Sequence, residues 1–229
     1  LDLDDPTNPL REGRVDLTNL FLVSVDAEDT SDIDDALSIE AIPEGFRVGV
    51  HITDISSLVD PKSALDLEAR HRATSLYFPD QKIPMFPVQL SEGLASLWEG
   101  KLRLALSFFI EVDREGKILS RKVIPSLVRV ARRLSYDYEE TRFLLATLSN
   151  LWSVASTLER ARLLRGAVVI SRREVFPVVE KNGHIKLEEW HEETPSRKLV
   201  SELMVLANET GALFAAEKGI PLIFRLQEG

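Results

Sequence analysis

Four aspartates fall within ten residues of this chain: Asp26, Asp32, Asp34 and Asp35, in the run Asp26-Ala27-Glu28-Asp29-Thr30-Ser31-Asp32-Ile33-Asp34-Asp35-Ala36. Like charges held this close repel, and the arrangement is destabilising unless something positive lies among them. A hard divalent cation, which prefers carboxylate oxygens, is the simplest counter-charge. Other readings stand beside it. An acidic cluster can be a solvated loop or a first helical turn, where Asp caps free backbone donors. Paired carboxylates can also hydrolyse sugars, although no run of aromatics here points to a sugar. A calcium-stabilised structural module of the EF-hand kind needs Gly at position 6 and Glu at position 12 of its loop. Counted from Asp26 those positions hold Ser31 and Leu37; from Asp32, Leu37 and Pro43; from Asp34, Ile39 and Gly45. No register fits.

The elements around the acids are anchored. Apolar runs at 21–25 and 36–42 predict strands on either side, so the acids lie on a short connection. A third strand is expected over 46–52, after a turn at Glu44-Gly45. Residues 61–74 have helix-forming composition, 78–87 are Pro-rich and irregular, and 102–112 with 117–130 predict a long hairpin. The span 135–165 is the most helical. Asn182-Gly183 signals a hairpin between 176–180 and 184–187. Pro195 suits the start of a helix that runs to about 218, where Gly219 can cap it, and 220–226 predict a final strand. The fold class is α+β, a mixed or antiparallel sheet packed with helices.

With 229 residues and 44% hydrophobic content, the chain can bury a sizeable core. It has no Cys, which excludes disulfides and thiolate metal sites. Its first residues, Leu1-Asp2-Leu3-Asp4-Asp5, do not read as a signal peptide, and apolar runs such as 104–110 are too short to span a bilayer. A net charge of −9 argues against a non-specific basic surface for nucleic acid. It leaves room for an enzyme that meets phosphate through metal ions. Positive charge gathers at Arg121, Lys122, Arg129, Arg132 and Arg133, and again at Arg160, Arg162, Arg165, Arg172 and Arg173. Either group could be a solvated face. The four His are scattered, and His51, in a strand-like run, reads as a satisfied structural residue; Asp54 could hold a turn.

The chain continues through Val50-His51-Ile52-Thr53-Asp54, Arg72-Ala73-Thr74-Ser75-Leu76-Tyr77-Phe78-Pro79, Ile83-Pro84-Met85-Phe86-Pro87 and Leu90-Ser91-Glu92-Gly93-Leu94. Ala131-Arg132-Arg133-Leu134-Ser135-Tyr136-Asp137, Arg165-Gly166-Ala167 and Ser201-Glu202-Leu203-Met204 follow. Together with 26–36, this ordered series resembles the catalytic domain of the ribonuclease II family, the RNB domain, over nearly the whole chain. The domain is expected over 20–229, after a lead-in at 1–19.

The resemblance implies a metal-dependent 3′→5′ exoribonuclease that releases 5′-mononucleotides from single-stranded RNA. Such chemistry needs an activated water and neutralised phosphate charge, which two divalent cations about 4 Å apart supply. By resemblance, Asp26 and Asp35 are direct ligands of Mg²⁺, with Mn²⁺ as the alternative ion. Asp32 and Asp34 complete the site through a second metal or the attacking water. Tyr77 and Tyr136 match tyrosines that hold the terminal nucleotides, and Glu202 matches a carboxylate that accepts from a ribose 2′-OH. Ala27 stands where the family frequently has Pro. A Ser-Pro-Ile-Arg segment that assists at the scissile phosphate lies beyond the last matched helix in the family and is absent here, so the domain is expected to lack its C-terminal part. Flanking OB-type domains, a monomeric state and a cytoplasmic location are the remaining expectations. A non-catalytic RNA-binding domain on the same fold is the alternative.

Overall fold

The structure is a computed structural model that describes residues 2–79, 81–136, 145–169, 174–179, 184–190 and 194–224. Its centre is a six-stranded sheet of β1 (Val15–Asp16), β2 (Leu22–Asp26), β3 (Asp35–Ile42), β4 (Gly45–Thr53), β7 (Leu102–Asp113) and β8 (Ile118–Ser135). Strands β2, β3, β4 and β7 pair antiparallel in chain order. β8 then closes the sheet on itself. Its first two-thirds pair antiparallel with β7, from Ile118 to Arg129. Its last part pairs parallel with β2, Val130 opposite Leu22 and Ser135 opposite Asp26. A closed sheet leaves few free strand edges.

The two faces of this barrel differ in polarity. The inner face carries a buried polar row, Ser24, Ser38, His51, Ser107 and Ser126, with the Phe109 ring edge-on to His51 at 5.6 Å. Gly49 belongs there because a Cβ would come within 2.3 Å of the Ser38 hydroxyl and 2.7 Å of the His51 ring. The outer face carries Val23, Val25, Leu37, Val48, Val50, Ile110 and Val112, which form one apolar cluster with Leu151, Val154, Leu199, Leu203 and Leu206. Those last five lie on α2 (Leu145–Leu164) and α3 (Pro195–Lys218). α3 begins as its sequence predicts, with Thr194 accepting from the Arg197 amide and Pro195 in the first turn, and Gly219 caps it at a φ of 65°. Among the described residues α3 alone is long and apolar enough to cross a membrane, yet its Leu199, Leu203 and Leu206 are buried against the sheet, as in a core helix.

Several boundaries move. The helix expected over 61–74 is α1 (Ala64–Arg72), capped by Ser63. The segment expected to be irregular holds a two-rung hairpin, β5 (Leu76–Tyr77) with β6 (Lys82–Ile83). Of the region expected to be helical from 135, residue 135 ends β8, which runs on to reach β2, residues 137–144 lie outside the described residues, and α2 is described from Leu145. β9 (Glu174–Val179) and β10 (Ile185–Trp190) form the second hairpin, whose Asn182-Gly183 turn lies outside the described residues. The strand expected over 220–226 does not form in the described part: 220–224 pair with no strand, and Ile220, Leu222 and Ile223 are exposed. The lead-in is not loose. Leu3 is buried with Leu102, Leu104 and Leu127, and β1 pairs with β8 at Ser126 and Leu127.

Candidate active site

The acids sit at one end of the barrel. Asp26 closes β2 and Asp35 opens β3, so paired neighbouring strands bring the two ends of the acidic run together. The loop between them is fastened from three sides. Ile33 is fully buried beside Leu22, Ala36 and Leu97. Its amide donates to the Ser96 hydroxyl at 3.0 Å, and that hydroxyl donates to the Ser31 carbonyl at 2.8 Å. The Arg133 guanidinium donates to the carbonyls of Ala27, Glu28 and Thr30, and stacks 4.9 Å from the Trp98 ring. On the β3 side, the Thr53 amide donates to the Asp34 carbonyl at 2.9 Å. The acids are thus carried on rigid backbone.

Their electrostatics are unfavourable as they stand. Burial pushes the Asp35 carboxyl up to about 7, with Asp26 and Asp34 adding to the rise. Burial likewise lifts Asp26 to about 6; Arg133 opposes this, and Asp34 and Asp32 reinforce it. Asp34 is raised by desolvation and by Asp32, with Lys82 opposing. One oxygen of Asp26 and one of Asp35, both Oδ2, are buried without a hydrogen-bond partner. Buried polar atoms are nearly always partnered, and these two orphans on neighbouring acids are acceptors that a positive ligand would satisfy. The donor set fits a hard divalent cation, which takes carboxylate oxygens. Among the described residues no three acid or imidazole groups converge into a complete cage. A partial set suits Mg²⁺, which is commonly held by one or two carboxylates and keeps waters or substrate oxygens.

The other expected residues divide. Tyr77 stands over the acid loop, its hydroxyl donating to Asp32 Oδ2 at 3.0 Å and its ring open to solvent. Tyr136 is half-buried just past the end of β8. Its amide donates to the Asp26 carbonyl at 2.9 Å, and the Arg197 guanidinium lies 4.2 Å from its ring. Burial raises the Tyr136 hydroxyl pKa, with Asp26 and Asp35 adding to the rise, which places the ring beside the acids. Glu202 is different. It is buried, 7% exposed, and it forms an ion pair with Arg162 of α2. No described contact ties it to the aspartates.

Three residues near the acids were not singled out from the sequence. Lys82 lies 2.7 Å from Asp32 and 3.1 Å from Glu92, Arg133 holds the loop, and Ser96 ties it to the barrel. Arg133 was visible only as one of a basic group. That group is not one open face: Arg121 pairs with Glu209, Arg129 with Asp4 and Arg132 with Glu99. In the second group, Arg162 is taken by Glu202, and Arg172 and Arg173 lie outside the described residues. His51 is structural, as expected: Nε2 meets the Ser38 hydroxyl at 2.9 Å and Nδ1 the Ser107 hydroxyl at 2.7 Å. Asp54 does hold a turn, accepting from Ser56 and Ser57, and also pairs with Arg14 at 2.5 Å.

The RNB domain family model matches residues 14–229. Ribonuclease R of Thermotoga maritima is 38% identical over 232 residues, covering 94% of this chain and 32% of its own length. A protein of Arabidopsis thaliana described as an inactive exonuclease is 34% identical over 226 residues, covering 87% of this chain and 21% of its own length. Ribonuclease R of Mycoplasma genitalium, solved in complex with double-stranded RNA, superposes with a TM-score of 0.88 at 29% identity, over 93% of this chain and 40% of that one. The chain therefore spans between about a fifth and about a third of the length of the curated relatives it matches. A match across nearly the whole sequence and the shared architecture agree: this chain belongs to the RNB domain family.

Proposed function

We propose that this chain carries the catalytic site of a metal-dependent 3′→5′ exoribonuclease, which shortens single-stranded RNA and releases 5′-mononucleotides. The observation that carries this is the pair of orphaned, desolvated oxygens on Asp26 and Asp35, set among Asp32 and Asp34 on a fastened loop. Asp26 and Asp35 would hold Mg²⁺ or Mn²⁺, with Asp34 and Asp32 completing the negative surround. Such ions, when bound, lower the pKa of water and neutralise phosphate charge. The protein's own part is positioning. The open face of Tyr77 offers a stacking surface for a terminal base or sugar, a contact tolerant of sequence. Tyr136 lies next to Asp26, stiffened by Arg197 and by the Ser196 hydroxyl on its carbonyl at 3.0 Å. Glu202 is the proposed partner of a ribose 2′-OH, shared with Arg162. Flanking OB-type domains would add RNA contacts in the whole protein.

A non-catalytic RNA-binding domain is the second reading, favoured by the inactive relative in the same family. All four aspartates are present, which favours catalysis. The deciding experiment incubates the protein with 5′-labelled single-stranded RNA and Mg²⁺, with and without chelator. A ladder shortened one nucleotide at a time, lost on chelation, is expected. Intact RNA bound without cleavage would establish the second reading.

A further inference from the structure

We propose that Lys82 is a positioning residue: an internal cation that latches the Tyr77 hairpin onto the acid loop through Asp32. The inference rests on the exoribonuclease reading for its functional consequence, though not for its structural one.

The hairpin has little else to hold it. Among the described residues β5 and β6 have two rungs, Leu76 with Ile83 and Tyr77 with Lys82, flanked by the Phe78 amide on the Gln81 carbonyl at 2.8 Å and the Met85 amide on the Ser75 hydroxyl at 2.9 Å. A ladder this short is not stable alone in water. Apolar burial does not anchor it, because Leu76, Tyr77, Phe78 and Ile83 are all exposed. Its described polar ties are few. Tyr77 donates to Asp32, Arg72 of α1 donates to the Pro84 carbonyl at 3.0 Å, and Lys82 reaches both Asp32 and Glu92. Lys82 is the residue that joins three separate pieces: the hairpin, the acid loop and the short π-helix Gln89–Leu94.

The latch is sheltered enough to matter. The side chains of Lys82, Asp32 and Glu92 are 22%, 18% and 24% exposed. A partly desolvated, doubly paired ammonium holds better than an open surface pair. Its Nζ also lies 5.4 Å from the Tyr77 ring centre, where a cation is attracted to the aromatic face. One oxygen, Asp32 Oδ2, receives both Lys82 and the Tyr77 hydroxyl. Asp32 therefore differs from Asp26 and Asp35, whose Oδ2 atoms have no partner. Asp32 organises the platform for the RNA end, while the other two face the ion.

The test compares wild type, Lys82→Met and Lys82→Arg in the full chain. Met keeps most of the stem and removes the charge; Arg keeps the charge. Hydrogen exchange is followed over 75–86 without RNA or metal. Lys82→Met should speed exchange of this segment about fivefold, the scale of one good ion pair, with the barrel unchanged and Lys82→Arg close to wild type. On RNA with Mg²⁺, Lys82→Met should raise KM about fivefold, since the competent platform is populated less. kcat should hold to within about twofold. Unchanged exchange in Lys82→Met overturns the latch. Loosened exchange with unchanged KM overturns its positioning role. An inactive wild type would count against the exoribonuclease reading, while the exchange result would still decide the latch.

Discussion

Two polar clusters sit on the same closed sheet, and they are built in opposite ways. Inside the barrel, both ring nitrogens of His51 are bonded, to Ser38 and Ser107, and Ser107 passes the chain on to Ser126 at 2.6 Å. At the barrel end, Asp26 and Asp35 each bury an oxygen that bonds to nothing. A satisfied network specifies a core, and an unsatisfied one stores electrostatic strain for a ligand to relieve. Burial drives the two in opposite directions: His51 falls to about 3, and Asp35 climbs to about 7. Both shifts favour the neutral form. Their effects on stability therefore have opposite signs along the pH axis.

The largest effect expected concerns chemistry at the strained cluster. In an active form, Asp34→Asn should lower kcat on RNA by about 10³-fold, the several kcal/mol that a metal-centred site supplies. RNA binding should change little, as filter binding under chelation would measure. Turnover near the wild-type rate would show that Asp34 does not organise the attack.

The satisfied cluster should respond through folding instead. His51→Ala should cost about 3 kcal/mol in denaturant unfolding, because it opens a cavity and strands the Ser38 and Ser107 hydroxyls. The pH sign follows from the depressed pKa. An unfolded His binds a proton below about 6.5, whereas the folded one resists until about 3. Stability conferred by neutral His51 is complete above 6.5 and is lost as pH falls through that window. The variant should lack this part of the acid sensitivity.

The strained cluster carries the reverse sign. Without metal, folded Asp35 keeps its proton up to about 7, whereas the unfolded group ionises near 3.8. Stability from these groups is greatest below the lower value and falls as pH rises to the upper one. Metal-free Asp35→Asn should therefore be more stable than wild type at pH 8 by about 1–2 kcal/mol and near equal at pH 4. Thermal melts at the two pH values measure this.

The smallest expected effect is at Glu202. Glu202→Ala should reduce the ratio of RNA to DNA cleavage about fivefold, as a site built for a hydroxyl loses its partner. An unchanged ratio with a lowered melting temperature would assign Glu202 to the α2–α3 contact through Arg162 alone.

How much of this was legible in the sequence depended on range. Local patterns carried β2, β3 and β4, the β7–β8 turn and both ends of α3, because alternation, Gly turns and caps act over a few residues. The acid cluster was legible because strands fixed both its ends. The partner switch of β8 was not, since the parallel pairing of Ser135 with Asp26 spans more than a hundred residues. That switch also explains why residue 135 lies in a strand rather than in the expected helix. Lys82 was invisible because its role arises only once the Tyr77 hairpin folds over Asp32. The burial of Glu202 was not legible, because the helical pattern of α3 does not reveal its ion pair with Arg162 of α2.

The claim that Asp26 and Asp35 form a cation site is tested most directly by melting the full chain at pH 8, first with chelator and then with Mg²⁺ or Mn²⁺ in excess. A ligand that binds only the folded state raises its stability. Wild type should melt higher with the ion. The Asp26→Asn, Asp35→Asn double variant should start higher without it and gain nothing on its addition. No shift in wild type, or an equal shift in the double variant, would contradict the metal site.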